Sequence, residues 1–150
     1  MHPTDEKLVS VLRQRGLKVT PQRLAIFRYL AHNESHPSAE KIYSDIKGEL
    51  PTISQGTVYK TLSMLAELGI IRELKLGNGH SRYDSNTSVH VNLICPVCDD
   101  IIDYQSTKIT RFWDAIVDDI GGQITGQRFD VYKICDDCNR SERKLNSSDS

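Results

Sequence analysis

Two short cysteine motifs carry the strongest chemical signal in this 150-residue sequence. They are Cys95-Pro-Val-Cys98 and Cys135-Asp-Asp-Cys138, both of the form C-x-x-C. A C-x-x-C turn places two sulfur atoms on one side of a tight loop, and two such turns complete a tetrahedral four-thiolate site of the structural zinc type. A redox-active dithiol, or an iron site with the same ligands, is the alternative. We predict structural Zn(II) at Cys95, Cys98, Cys135 and Cys138.

Histidines and aspartates form a second group of possible metal ligands. A closed four-thiolate site needs none of them, and imidazole combined with carboxylate suits Fe(II), Mn(II) or Zn(II) rather than a softer metal. Taken singly, each is more often a surface histidine, a strand-end aspartate or a helix cap. The candidates lie around the expected boundary between two modules; they are His36, His80, Asp84, His90, Asn92, Asp99, Asp100 and Asp103.

The elements that must position these residues follow from hydrophobic periodicity. Apolar side chains at three- and four-residue steps predict four helices in the first half. These span residues 5–15, start at Thr20-Pro21, run from Pro37-Ser38 to near Pro51, and run from Ser54 to Gly69. Residues 70–84 alternate around a GNGH turn and predict a β-hairpin. This order predicts a winged helix-turn-helix domain, with a small α+β bundle that binds no ligand as the alternative.

The second half changes character. Residues 90–95 and 99–105 predict two strands that flank the first cysteine motif, residues 108–120 an amphipathic helix, and residues 123–135 a third strand. The polar tail from about residue 141 is expected to be flexible. We therefore predict an α+β protein with a winged-helix domain at residues 1–84, a hinge at 85–88 and a zinc-containing α/β domain at 89–150.

Composition narrows the class of protein and of partner. Hydrophobic residues make up 38% and charged residues 26%, as in a globular protein. The sequence lacks an apolar run of about 18 residues and a signal peptide, so we expect a cytoplasmic protein that does not bind a membrane. The net charge of -1 hides an asymmetry: residues 1–83 carry 12 basic and 8 acidic residues (+4), and residues 84–150 carry 7 and 12 (-5). A polyanionic partner is therefore expected at the first half.

Several longer runs resemble the ferric uptake regulator (Fur) family, and within it most of all the peroxide-responsive PerR branch. They are GLKVTPQRLAIFRYL, HPSAEKIYSDI and ISQGTVYKTLSMLAELGII, followed by SRYD, His90 and the two C-x-x-C motifs. The resemblance implies a homodimeric, metal-dependent repressor of operator DNA, and neither an enzyme nor a protein with a small organic substrate. It implies an N-terminal winged helix and a C-terminal α/β dimerisation domain.

The resemblance also implies which residues bind the regulatory metal. By motif, the ligands are His36, Asp84, His90 and Asp103, and the oxidation-sensitive histidines are His36 and His90. An aspartate at position 103 is the usual choice of the peroxide-sensing branch. One position departs from the family, because Asn92 stands where a second histidine is common. Strand alternation still places Asn92 on the face of His90, so the amide oxygen, water or His80 is expected to complete the site.

The fourth predicted helix carries the expected DNA contacts. Its first turns, which meet base edges in a recognition helix, present Ser54, Gln55, Thr57 and Lys60. The family pattern makes Tyr59 and Lys60 the base-reading residues and directs Lys18 to a minor groove, and Arg23 is expected at a phosphate. The alternative is that Tyr59 packs on the helix face and that the charges are only solvated.

These features predict a repressor that binds its operator when Fe(II) or Mn(II) is loaded and releases it after iron-catalysed oxidation of a histidine. A metal-availability sensor for iron, manganese or zinc is the alternative within the family. Two hypotheses belong to other classes: a non-haem iron enzyme, and a zinc-stabilised protein-interaction module that binds no DNA.

Overall fold

The computed structural model describes residues 2–148, with side chains described up to residue 142. The described residues form six helices and five strands. The chain divides into two compact units, Met1–Thr87 (unit 1) and Ser88–Ser150 (unit 2). The elements are α1 (Asp5–Gln14), α2 (Pro21–Ala31), α3 (Ala39–Ile46), α4 (Gln55–Glu67), β1 (Arg72–Lys75), β2 (Ser81–Asp84), β3 (Val91–Ile94), β4 (Ile101–Tyr104), α5 (Thr107–Ile120), β5 (Phe129–Tyr132) and α6 (Asp136–Ser148).

The four helices of unit 1 begin where hydroxyl side chains cap them. Each cap accepts a hydrogen bond from the backbone N–H three residues later, and each such cap stabilises its helix by about 1 kcal/mol. The capping residues are Thr4, Thr20, Ser38 and Ser54. The apolar faces meet in one core, whose fully buried members include Leu12, Ile26, Ile42 and Leu62.

The hairpin of unit 1 follows the helices, as a winged helix requires. Strands β1 and β2 pair antiparallel, with Arg72 opposite Asp84. The N–H of Tyr83 donates a hydrogen bond of 3.0 Å to the carbonyl of Pro37, which ties β2 to the segment before α3. This contact places the end of β2 beside His36.

The sheet of unit 2 has three strands in the order β4-β3-β5. Strand β3 pairs antiparallel with β4 and parallel with β5. One row across the three strands is polar and consists of Asp103, Asn92 and Asp130. The next row points to the opposite face and is apolar, with Ile102, Leu93 and Val131.

Helix α5 touches this face of the sheet at Phe129 and leaves Ile102 and Val131 exposed. The rings of Phe112 and Trp113 lie 5.9 and 5.8 Å from the ring of Phe129. The helix ends at Gly121, whose φ of 61° lies in the left-handed region that favours glycine. Among the residues described, none of the helices combines the length and apolarity that crossing a membrane requires.

Three predicted segments differ from the structure. The third strand of unit 2, predicted over residues 123–135, spans only Phe129–Tyr132. Helix α3 ends at Ile46 rather than near Pro51, because residues 47–49 form a turn that is closed by a 2.8 Å hydrogen bond from the N–H of Leu50 to the carbonyl of Ile46. Helix α6 begins at Asp136, directly after the first cysteine of the second motif, and its first turn carries Asp136 and Asp137, where a helix N-terminus favours negative charge. Residues 149 and 150 of the predicted flexible tail lie outside the described residues.

Candidate metal centres

The four cysteines lie together in unit 2. Their sulfur atoms are all within 4.8 Å of one another, and the thiols are not joined in disulfides. Sulfur atoms around a tetrahedral zinc with Zn–S bonds of about 2.3 Å are roughly 3.8 Å apart, and the Cys98 and Cys135 sulfurs are separated by 3.9 Å. The cluster fits the predicted Zn(II) site.

A tight turn after β3 presents the first two cysteines. The N–H of Cys95 donates to the carbonyl of Asp100, and the N–H of Asp99 donates to the carbonyl of Cys95, both over 2.9 Å. Asp99 adopts a φ of 60°, which lets the chain reverse directly after Cys98. Backbone N–H groups, first that of Cys135, lower the pKa of the Cys95 thiol to about 6. This favours the thiolate, which is the form that binds a metal.

The first histidine–aspartate pair lies in unit 1. Nε2 of His36 is 3.6 Å from Oδ2 of Asp84, and their side chains are 1% and 7% exposed. His36 has a φ of 52°, an uncommon conformation for a residue other than glycine. The guanidinium of Arg82 donates a 3.3 Å hydrogen bond to the carbonyl of His36. Arg82 and the Tyr83–Pro37 contact therefore hold this imidazole at the end of β2.

The second pair lies in unit 2. Nδ1 of His90 is 2.8 Å from the carbonyl oxygen of Ser88. A carbonyl oxygen only accepts hydrogen bonds, so we assign the proton of the neutral imidazole to Nδ1, and Nε2 keeps its lone pair. Nε2 lies 3.1 Å from Oδ1 of Asn92 and 3.4 Å from Oδ1 of Asp103.

These three atoms fit a divalent cation. Neighbouring ligands around a cation with bonds of about 2.1 Å are separated by roughly 3.0–3.5 Å. Each atom carries a lone pair, and one nitrogen with two oxygens is a donor set that suits Fe(II) and Mn(II). Each unit thus contributes a histidine and an aspartate to the predicted regulatory ligands. His80 and Asp100 do not join them: His80 lies in the hairpin turn and Asp100 in the cysteine turn.

The predicted DNA-contact residues lie in the first turns of α4, in the first turn of α2 and in the segment before α2. Gln55 and Lys60 are exposed, as is Lys18. Ser54 caps α4, and its hydroxyl also lies 2.9 Å from that of Thr57. Arg23 is half-buried, and its guanidinium donates a 2.8 Å hydrogen bond to the carbonyl of Lys18.

Tyr59 projects from α4 with 42% of its surface exposed. Its hydroxyl donates a short hydrogen bond to the carboxylate of Glu40 on α3. Sequence reasoning missed Glu40, and it also missed Arg82, Arg128 and Asp130. Glu40, Arg82 and Asp130 each contact a partner that is distant in sequence, which no local motif indicates, and Arg128 contacts Asp130 two residues further on.

Comparison with known proteins agrees with this geometry. A sequence model of the ferric uptake regulator family matches residues 14–132. The peroxide-responsive repressor PerR of Staphylococcus aureus is 36% identical over 137 residues, which are 91% of this chain and 92% of that protein. Both matches are to regulators.

Solved structures show the same fold. The Campylobacter jejuni peroxide stress regulator aligns with a TM-score of 0.71 at 32% identity, over 87% of this chain and 98% of that one. The Pseudomonas aeruginosa ferric uptake regulator with manganese aligns with a TM-score of 0.73 at 25% identity, over 85% and 97%. The predicted α+β fold is confirmed, and the chain belongs to the ferric uptake regulator family.

Proposed function

We propose that this protein, a metal-responsive regulator by its family, is a peroxide-sensing repressor. In this proposal it binds double-stranded operator DNA as a homodimer when Fe(II) or Mn(II) is loaded. The observation that carries the proposal is the pair of buried histidines, each beside an aspartate: His36 with Asp84 in unit 1, and His90 with Asp103 in unit 2.

One cation shared by the two pairs is the regulatory element of the proposal. Two ligands bind a divalent cation weakly, whereas four or more protein ligands, with Asn92 as a fifth, make a complete site. A shared cation restricts the two units to the arrangement in which both pairs can reach it. Metal binding and operator binding are then coupled reciprocally, by about 1–3 kcal/mol in typical cases.

The DNA surface of the proposal is the exposed side of α4 together with the first turn of α2 and the segment before it. Tyr59 and Lys60 are exposed there and are placed to read bases, while Lys18 and Arg23 supply positive charge for the backbone. Residues 1–83 carry the net positive charge of the chain, and residues 84–150 carry the negative charge. This asymmetry favours DNA binding through unit 1.

The homodimer of the proposal uses the apolar face of the unit 2 sheet. Ile102 and Val131 are 57% and 49% exposed although they flank Leu93 in the same row. Phe112 on α5 is also exposed, so apolar surface continues beyond the strands. A second copy of the chain would cover it, and a dimer would space two α4 helices for two half-sites of an operator.

The response to peroxide follows from the ligands. When bound, Fe(II) would catalyse cleavage of the O–O bond of hydrogen peroxide next to the imidazole rings and would not be consumed in the net change. In the net change, one oxygen atom is inserted into a ring C–H bond of His36 or His90 and the other leaves as water. The ring loses two electrons, which peroxide accepts. An oxidised imidazole is a poorer ligand, so the cation and then the operator are released.

The test is mass spectrometry of the purified protein after Fe(II) loading and brief exposure to peroxide, with Mn(II)-loaded protein as the control. A gain of one oxygen, confined to the iron sample and mapped to His36 or His90, is the expected result. Repeated turnover of an added substrate would instead indicate an iron enzyme, because a sensor is consumed once.

A metal-availability sensor is the second candidate, and Asn92 is the observation that favours it. An amide oxygen replaces an oxidisable imidazole on β3 and suits Mn(II) as well as Fe(II). Iron-loaded protein that releases its operator when the metal is removed, yet gains no oxygen from peroxide, would support this candidate. Equal operator affinity with and without the regulatory metal would contradict both.

A further inference from the structure

We infer that Asp130, held by Arg128, is a positioning residue that fixes the Asn92 side chain with its oxygen toward His90. Asn92 thereby serves as a neutral oxygen ligand of the regulatory cation. The inference rests on the proposed function, because it concerns the same site, and it adds two residues from β5 and the loop before it.

The sheet register brings the three polar side chains of this row together. Asn92 on the central strand lies opposite Asp103 on one side and opposite Asp130 on the other. Nδ2 of Asn92 donates a 2.9 Å hydrogen bond to Oδ1 of Asp130. At its other end, Oδ1 of Asn92 lies 3.1 Å from Nε2 of His90. Asn92 itself is 2% exposed, so water does not compete for either end.

The carboxylate decides which way the amide points. An ionised carboxylate has only acceptor atoms, so the NH2 group of Asn92 must face Asp130 and the carbonyl oxygen must face away. The reversed amide would place two acceptors 2.9 Å apart in a buried setting. It would also direct an NH2 group at the lone pair that His90 offers to a cation. The first contact would cost more than the hydrogen bond to His90 would gain, because hydrogen bonds to a carboxylate are stronger than those between neutral groups. Asp130 therefore sets the orientation before any metal binds.

Arg128 holds the carboxylate of Asp130 in place. Its Nε donates to Oδ1 of Asp130 over 3.0 Å, and its Nη2 lies 2.8 Å from Oδ2. This two-point pairing holds the carboxylate in one plane. Since Oδ1 also accepts from Asn92, both oxygens of Asp130 are used within the sheet. Asp130 therefore acts through Asn92 and is not a ligand itself.

The consequence is a preference among metals. Nε2 of His90 and the oxygens of Asn92 and Asp103 supply one nitrogen and two oxygen donors on this side of the site. An oxygen donor suits Mn(II) and Fe(II), whereas an imidazole in its place would suit Zn(II) better. Asp130 thus contributes to metal choice without touching the metal. Residues that orient ligands in this way typically change metal affinity 10- to 100-fold when they are replaced.

The experiment is a double-mutant cycle on the full-length protein with its four-cysteine site zinc-loaded. Free Mn(II) is measured by its electron paramagnetic resonance signal during titration, and Zn(II) is then added to measure displacement. Asp130→Ala should weaken Mn(II) binding about 10- to 100-fold and make displacement by Zn(II) easier. In an Asn92→Ala background, Asp130→Ala should have no further effect, because there is no amide left to orient.

Two controls separate positioning from a general loss of structure. Asp118→Ala removes the same charge from an exposed position on α5 and should leave Mn(II) binding unchanged. Asp130→Asn keeps the size of the side chain but can donate as well as accept, so it should show a reduced form of the same loss. In metal-free protein, nuclear magnetic resonance should show a protected Asn92 side-chain NH2 that loses its protection in Asp130→Ala.

Each outcome has one meaning. Wild-type Mn(II) affinity and amide protection in both Asp130 variants would overturn the inference. So would an Asp130→Ala loss that persists undiminished in the Asn92→Ala background. A wild-type protein that binds no cation beyond the four-cysteine zinc would contradict the proposed function instead, and the amide protection would still report on the orientation of Asn92.

Discussion

The hydroxyl of Tyr59 on α4 donates a hydrogen bond to the carboxylate of Glu40 at the start of α3. This bond lowers the pKa of Glu40 and raises the pKa of Tyr59. Glu40 is therefore ionised at neutral pH, and it lies beside the helix proposed to contact DNA. The contact fixes the direction of the Tyr59 ring, but it also places a negative charge where DNA phosphates would approach.

The variant Glu40→Gln tests this balance. It removes the charge and keeps an oxygen that can accept from Tyr59, so we expect operator affinity to rise by about 3- to 10-fold at low salt. The measurement is fluorescence anisotropy with labelled operator duplex over a range of salt concentrations. Glu67→Gln, the same change at the other end of α4, is the matched control. Lower affinity in Glu40→Gln would mean that the ionised carboxylate is needed to hold Tyr59 in place.

Substitutions of Ser54 separate a structural role from a DNA-contact role. Ser54→Ala removes the N-cap of α4 and should lower the free energy of unfolding by about 1 kcal/mol, measured by urea denaturation. Ser54→Asp keeps a capping oxygen and should preserve stability, yet it adds a negative charge at the proposed DNA surface. We expect its operator affinity to fall at least about tenfold. An unchanged affinity in Ser54→Asp would remove this residue from the interface.

The four-cysteine cluster should be structural and the histidine–aspartate ligands regulatory. Cys98→Ser is expected to lose one zinc per chain and to unfold unit 2, because a structural zinc site contributes about 10 kcal/mol or more to folding and a domain has only about 5–15 kcal/mol in total. His36→Ala should keep that zinc and the melting temperature but lose metal-dependent operator binding. Elemental analysis with thermal denaturation checks both. A stable Cys98→Ser protein with wild-type zinc content would contradict the assignment.

Stability should fall at alkaline pH because of tyrosines in unit 1 with raised pKa values, chiefly Tyr83 and Tyr29, with Tyr59 adding to the effect. Burial raises the pKa of Tyr83 to about 12, and burial together with Asp45 raises that of Tyr29 to about 12. In the unfolded chain both ionise near pH 10, so the unfolded state binds fewer protons and the free energy of unfolding decreases between about pH 10 and 12.

The variant Tyr83→Phe cannot ionise at this position and should show a smaller decrease than the wild type, since Tyr29 and Tyr59 still contribute. Urea midpoints at pH 8, 10 and 11, compared with the wild type, measure the effect. Tyr43→Phe, which removes a half-buried hydroxyl on α3, is the control and should follow the wild-type profile. If Tyr83→Phe lost as much stability at alkaline pH as the wild type, groups other than Tyr83 would be responsible for the decrease.

Local sequence signals predicted the parts of the fold that local chemistry determines. Thr20 and Ser54 mark helix starts because their hydroxyls satisfy backbone N–H groups, and the spacing of Cys95 and Cys98 implies a turn that presents two sulfurs. The support of the candidate metal ligands was not predictable in this way. Asn92 contacts Asp130 only because β3 and β5 pair in parallel, although β4 and α5 separate the two strands in the sequence. No periodicity in either strand encodes that register.

The end of helix α3 was also predicted wrongly from the sequence. Proline at position 51 suggested a later helix end, whereas the turn at residues 47–49 closes on Ile46. The helical spacing of apolar residues ends at Ile46, and Gly48 follows within the turn, so the pattern itself contained the correct boundary. Asp136 and Asp137 form the first turn of α6, whereas the sequence predicted only a metal-binding turn at these positions.

The apolar row of the unit 2 sheet, formed by Ile102, Leu93 and Val131, predicts that the protein is a homodimer. Ile102 and Val131 flank Leu93, and a stable homodimer buries about 800 Å² on each partner, which requires such a contiguous apolar surface. Val131→Lys would place a charge within that surface, so we expect the dimer dissociation constant to rise about 30-fold or more, equivalent to roughly 2 kcal/mol. Light scattering coupled to size-exclusion chromatography over a concentration series measures it, with zinc content as the check on folding. Gln14→Lys, which adds the same charge on α1, should remain dimeric. A dimer of unchanged affinity in Val131→Lys would direct the search for the interface to other surfaces of the chain.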